Sequence, residues 1–285
     1  MKVSKTKNRR WIHATLVLML LALLSFSVSP LLSSIVQASQ ADKSPVVSQE
    51  TARLKNEALG YQLVLEREPD NENALLGLLE TRLIQGDLEA AIAPLKRLAQ
   101  LNPQEPDYGI LLAQSQQQLK NYSEAIKTYQ EIIAANPGEM QSLKGMVDLL
   151  MQQKRSQDAI NLVQNTLTQA IAEQSNESVS HSVFNLTSLQ LLLGEIYTEQ
   201  KRYDDALIIY DQAIKGDADD FRPLLAKAIM LRQQGKETEA ESLFKEAIFK
   251  APVQYKEQLK DISLQRPKLD SKAENKSSEK EQETK

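Results

Sequence analysis

The chain of 285 residues contains no cysteine, which excludes disulfides, zinc–cysteine centres and thiol nucleophiles. Histidine is almost as scarce. His13 and His181 are the two present, so no histidine cluster exists for a zinc or iron site. The nine glycines are scattered singly, which leaves no glycine-rich loop to cradle a phosphate. Aromatic residues make up 5% of the chain, with one tryptophan. Net charge is −4, yet the first 38 residues carry five basic residues and no acidic one, so the remainder stands at −9. That balance argues against nucleic acid as a partner. With no thiol nucleophile, ligand cluster or phosphate loop, the sequence predicts no catalytic, cofactor-binding or metal-binding residue, no small-molecule substrate, and a chain that is not an enzyme.

What is present is a repeat. Residues 86–92 read Gly-Asp-Leu-Glu-Ala-Ala-Ile, and related stretches recur at 120–126, 154–160, 201–207 and 235–241. Their marker alanines, Ala91, Ala125, Ala159, Ala206 and Ala240, are separated by 34, 34, 47 and 34 residues. Pro69, Pro103 and Pro137 fall on the same 34-residue period, and Pro252 follows Ala240 by the interval that separates Pro103 from Ala91. Each period holds two amphipathic helical patterns. Gly86 and Gly235 suit a left-handed turn closing a first helix, and Asp87, Ser123, Ser156, Asp204 and Thr238 are placed to cap a second. Acidic residues such as Glu124, Asp158, Asp205 and Glu239 recur just before the marker alanine, where a helix macrodipole favours them without any chemistry.

A 34-residue period of two helices resembles the tetratricopeptide repeat. Leu193, Gly194 and Tyr197, followed by Ala206, Tyr210 and Ala213, match its pattern best; elsewhere Leu79, Ala113, Val147 and Ala228 replace Gly194, and Arg82, Gln116, Leu150 and Leu231 replace Tyr197. The resemblance implies an all-α fold, a right-handed α-solenoid of antiparallel helix pairs with about five repeats plus capping helices. It also implies a concave surface lined by first helices. By that resemblance the partner groove comprises Leu76, Glu80 and Leu83, then Ile110, Gln114 and Gln117, then Lys144, Asp148 and Met151, then Leu191, Glu195 and Thr198, then Leu225, Ile229 and Arg232. Family members that clamp a chaperone's C-terminal carboxylate use Lys, Asn and Arg there, and this sequence departs from that pattern almost throughout. Aliphatics flanked by Glu80, Asp148 and Glu195 suit an amphipathic helix or an extended peptide carrying basic residues.

The expected organisation begins with a targeting segment over residues 1–38. Lys2, Lys5, Lys7, Arg9 and Arg10 precede nine uninterrupted apolar residues at 16–24, set in a mostly apolar run at 11–28. This arrangement directs a chain to a membrane. It reads as an uncleaved single-pass anchor, with the N-terminus cytoplasmic and the repeats on the non-cytoplasmic side, in the periplasm or a thylakoid lumen. The alternative is a signal peptide cut near Ala38, which leaves a soluble periplasmic protein. A linker at 39–48 and an N-terminal capping helix at 49–71 follow. The solenoid spans 72–254, with thirteen residues inserted near 172–186, where the marker interval is 47. A C-terminal capping helix at 255–264, with Tyr255, Leu259 and Ile262 facing inward, precedes a charged tail at 265–285 that should be disordered. The function expected is a membrane-tethered scaffold or assembly factor that binds protein partners in its groove. A cleaved exported binding module and a regulatory subunit of an enzyme complex are the alternatives.

Overall fold

The computed structural model describes residues 45–174 and 184–265. The targeting segment at 1–38, the loop containing His181 and all but the first residue of the charged tail lie outside the described residues. Within them the chain forms twelve α-helices: α1 (Pro45–Arg67), α2 (Glu72–Ile84), α3 (Leu88–Leu101), α4 (Pro106–Gln118), α5 (Tyr122–Ala135), α6 (Met140–Gln152), α7 (Ser156–Gln174), α8 (Leu186–Glu199), α9 (Tyr203–Gly216), α10 (Phe221–Gln233), α11 (Glu237–Lys250) and α12 (Val253–Leu264). None of these is long and apolar enough to cross a membrane. The first begins at Pro45, four residues before the position the sequence pattern suggests.

The chain divides into two compact units, one through Arg155 and one from Ser156. In the first, each helix from α1 to α6 packs on the next, and α4 also meets α6. In the second the same rule joins α7 to α12, with α8 also meeting α10. Both are helical solenoid segments of the kind the 34-residue period implies.

The marker alanines explain the close pairing. Ala91, Ala125, Ala159, Ala206 and Ala240 are all at most 1% exposed, and within each unit the helices of a pair pack against one another. In the first unit Leu75, Leu79, Leu83, Leu95, Leu98, Tyr108 and Leu111 close around Ala91 as one apolar cluster. At about 25 cal/mol per Å² of apolar area removed from water, such burial drives the stacking.

The turn inside each pair is built on one left-handed residue. Gly86 and Gly235 take φ of 71° and 77°, and Lys120, Lys154 and Lys201 take 63°, 59° and 57°. In every case the residue after it closes the first helix. Thus Asp87 N donates to Arg82 O, Asn121 N to Gln116 O, Arg155 N to Leu150 O, Arg202 N to Tyr197 O and Lys236 N to Leu231 O, at 2.8 to 3.0 Å. This is a Schellman closure. In four of the five turns the same residue also opens the next helix: Asp87, Asn121, Arg202 and Lys236 accept at their carbonyls from Ala91, Ala125, Ala206 and Ala240.

That double role corrects the expected caps. Asp87 is an N-cap, its carboxylate accepting from Ala90 N at 3.0 Å. Ser123, Asp204 and Thr238 are instead the second residues of helices that start at Tyr122, Tyr203 and Glu237, and Ser156 is the first residue of α7. Once the left-handed residue is fixed, no spare residues remain before the helix begins.

In lysine the left-handed conformation is strained at Cβ, by about 1 kcal/mol or more. Replacing Lys201 by glycine should therefore stabilise the second unit by roughly 0.5–1 kcal/mol, the gain being reduced by glycine's greater freedom when unfolded. Urea denaturation checks this; an unchanged or lowered midpoint would show that the lysine side chain makes a compensating contact.

Candidate functional site

The first helices of successive pairs stand side by side within each unit. In the first unit Gln117 of α4 donates from Nε2 to Gln152 Oε1 of α6 at 3.1 Å. In the second, Arg222 of α10 donates to Ser188 Oγ of α8 at 3.2 Å. Each unit thus presents a face made of first-helix side chains.

On the first unit's face Glu80, Lys144 and Asp148 are exposed, and Leu76, Gln114, Gln117 and Met151 are half-buried. Lys144 Nζ pairs with Asp148 Oδ1 at 3.7 Å across one helical turn. The pair offsets part of the acidic character the sequence suggests, and being exposed it adds little stability. On the second unit's face Glu195 is exposed, and Leu191, Leu225 and Ile229 are half-buried.

Four of the fifteen groove residues have other work. Leu83 is 4% exposed inside the apolar cluster and Ile110 is 3% exposed, so neither offers a surface. Thr198 donates to its own helix at Gly194 O, 2.8 Å away, and its hydroxyl lies 3.3 Å from Tyr210 Oη. Arg232 donates to the carbonyls of Ile262 and Ser263 at 2.7 and 3.3 Å, and its guanidinium sits 4.5 Å over the Phe244 ring. It therefore caps the C-terminal end of α12, where unpaired carbonyls favour a cation.

This arginine adds to the packing of the closing helix on α11, which by itself buries little. Of the three inward positions expected there, Leu259 is buried and Ile262 is half-buried, while Tyr255 is exposed, its ring centroid 5.8 Å from that of Phe221. Among the described residues no group of three or more His, Asp or Glu side chains is placed to hold a metal ion.

Two tetratricopeptide repeat family models match, one over residues 82–146 and one over 191–255. The chain carries tetratricopeptide repeats. Proteins built from these repeats are protein-interaction scaffolds, and the fold is generally a non-catalytic interaction module. Among curated proteins, cellulose synthase operon protein C of Pseudomonas fluorescens (strain SBW25) is 25% identical over 143 residues. The match covers 50% of this chain and 11% of that protein, so the chain aligns to about a tenth of the relative's length. Among solved structures, MamA from Desulfovibrio magneticus RS-1 is 15% identical, covering 62% of this chain and 93% of that one, with a TM-score of 0.40. A thermophilic repeat protein of Thermus thermophilus is 20% identical, covering 67% and 96%, also at 0.40. PilF of Pseudomonas aeruginosa is 16% identical, covering 66% and 79%, at 0.41.

Proposed function

We propose that this tetratricopeptide repeat chain is a non-enzymatic scaffold or assembly factor, tethered to a membrane by residues 1–38, that binds peptides or helices of partner proteins along its first-helix faces. The observation that carries the reading is the set of side chains left over after packing. Glu80, Gln114, Lys144, Asp148 and Met151 in the first unit are not consumed by the core, Leu76 packs against the apolar cluster yet stays half-buried, and Leu191, Glu195, Leu225 and Ile229 in the second unit are likewise not fully buried. Half-buried aliphatics beside exposed charges and amides suit an amphipathic or extended segment. The basic, then apolar, N-terminal sequence supports the tether.

A photo-crosslinking residue at Gln114 or Leu191 of the full chain in native membranes should give a discrete adduct identified by mass spectrometry, absent from a control at exposed Gln130 on a second helix. Equal labelling from Gln114 and Gln130 would overturn the assignment of the face. Val36, Gln37 and Ala38 favour a second reading, an exported soluble module, because they suit a signal peptidase. N-terminal sequencing separates the two: a chain starting at Ser39 supports export, and an intact Met1 or Lys2 supports the tether.

A further inference from the structure

The helix α1 has the register of a second helix but lacks the first helix of its pair. By the 34-residue period, Glu57, Gly60 and Val64 stand where α3 has Ala91, Pro94 and Leu98 and where α5 has Ala125, Thr128 and Ile132. All six counterparts are buried, since α3 packs on both α2 and α4, and α5 on both α4 and α6. α1 packs on α2, and its other side is left open. Glu57, Gly60 and Val64 are exposed there, with Leu63 beside them 51% exposed and Leu59 53% exposed. A Cβ built on Gly60 would meet nothing within 4 Å, so a second backbone has room to approach. An open aliphatic face of this kind marks an interaction surface.

The chain itself points to what covers it. In the other pairs the covering first helix comes directly before the second, so the residues ahead of α1 are the ones the repeat places here. A first helix in the usual register would occupy 38–50, but α1 already runs from Pro45, nine residues ahead of Leu54, the counterpart of the residue that opens α3. The helix continues straight where the other pairs turn, and a covering segment has to double back from further upstream. Residues 37–44 are polar apart from two alanines. Just before them Leu31, Leu32, Ile35 and Val36 fall at the spacing of one helical face. Eight linker residues span up to roughly 26 Å, and α1 rises about 21 Å from Pro45 to Leu59. An antiparallel return thus brings Val36 level with Leu59 and Gly60, and Leu32 level with Leu63 and Val64.

We propose that residues 31–36 of this chain double back onto the open side of α1 and stand in for its missing first helix. The proposal rests on the reading that residues 1–38 stay attached as a tether, and it adds what the tether does. The apolar run at 11–28 ends just before this segment, so docking holds the first unit within roughly 10 Å of the membrane surface. Undocked, residues 29–44 would let it range over roughly 50 Å.

The chain has no cysteine, so an introduced pair reports on one contact. The test uses the full chain in membranes, its start established by N-terminal sequencing, and compares Leu32→Cys/Val64→Cys with Leu32→Cys/Gln62→Cys. Gln62 is exposed but lies about 200° around the helix from Val64. An undocked segment would meet both positions at the same effective concentration, so the readout is preference. Under mild oxidation the first pair should close an intrachain disulfide roughly tenfold faster than the second, because docking alone holds its Cα atoms within bonding range. Non-reducing electrophoresis and mass spectrometry of the linked peptides measure both rates. Ile35→Glu, added to each pair, should bring the rates together. Equal rates without Ile35→Glu, no intrachain disulfide, a preference that survives Ile35→Glu, or a disulfide between two copies in place of the internal one each overturns the proposal. A chain starting at Ser39 overturns the tether reading and this proposal with it, whereas an intact chain with equal rates overturns this proposal alone.

Discussion

Tyr210→Ala is expected to destabilise the second unit by about 3–5 kcal/mol, the range for deleting a large buried aromatic side chain. Tyr210 is 2% exposed, and its ring lies against the bare backbone of Gly194. A Cβ built on that glycine would stand 2.3 Å from Cε1 and 2.7 Å from Cζ of the ring. Two helix axes are thus set apart by the thickness of one aromatic ring, and neighbours held by their own helices cannot collapse into the gap. The hydroxyl contributes less. Tyr210→Phe keeps the ring and removes only the contact with Thr198, so it should lose about 1 kcal/mol. Urea denaturation of both variants checks the argument, and equal losses would show that the hydrogen bond rather than the ring holds the pair.

Raising the pH from 10 to 12 is expected to destabilise both units, by up to about 3 kcal/mol for each of two tyrosines. Burial pushes Tyr129 up to about 12, with the negative charge of Asp148 adding to it. Burial likewise pushes Tyr210 up to about 12; the hydrogen bond with Thr198 pulls the other way, and the charge of Glu195 adds to the rise. Both groups are neutral in the folded and unfolded chain below pH 10, so their folded-state contribution is fully present there. Above pH 10 the unfolded chain ionises first and binds fewer protons. Stability therefore falls as the pH climbs toward the folded value. Denaturation midpoints measured at pH 9, 10, 11 and 12 should decline steeply, and Tyr129→Phe with Tyr210→Phe should flatten the decline. A double variant with the wild-type slope would place the alkaline sensitivity elsewhere.

The helix pairs were legible in the sequence because each rests on local signals repeated in register. A small residue at Ala91, Ala125, Ala159, Ala206 and Ala240, a proline after each of several second helices, and apolar spacing between them suffice to specify where helices run and how they pair. The turns were half legible. Glycine announces a left-handed residue at Gly86 and Gly235, but nothing about Lys120, Lys154 or Lys201 does so, since the conformation is imposed there by the helices on both sides.

The candidate faces were less legible, because a register position says which way a side chain points and not what else arrives beside it. Leu83 and Ile110 are taken by the core, and Arg232 by a helix thirty residues further along the chain. Gln116 shows the reverse case. In sequence it is only a weak substitute for the aromatic at Tyr197, but in the fold it is buried, accepts from Thr128 Oγ1 and lines an open cleft. By itself, then, the sequence determined the period, the helices and the antiparallel pairing, because these follow from contacts between residues a few positions apart. The tertiary structure decided which side chains the packing consumes and which remain to meet a partner, because burial depends on helices that reach the same place from distant parts of the chain.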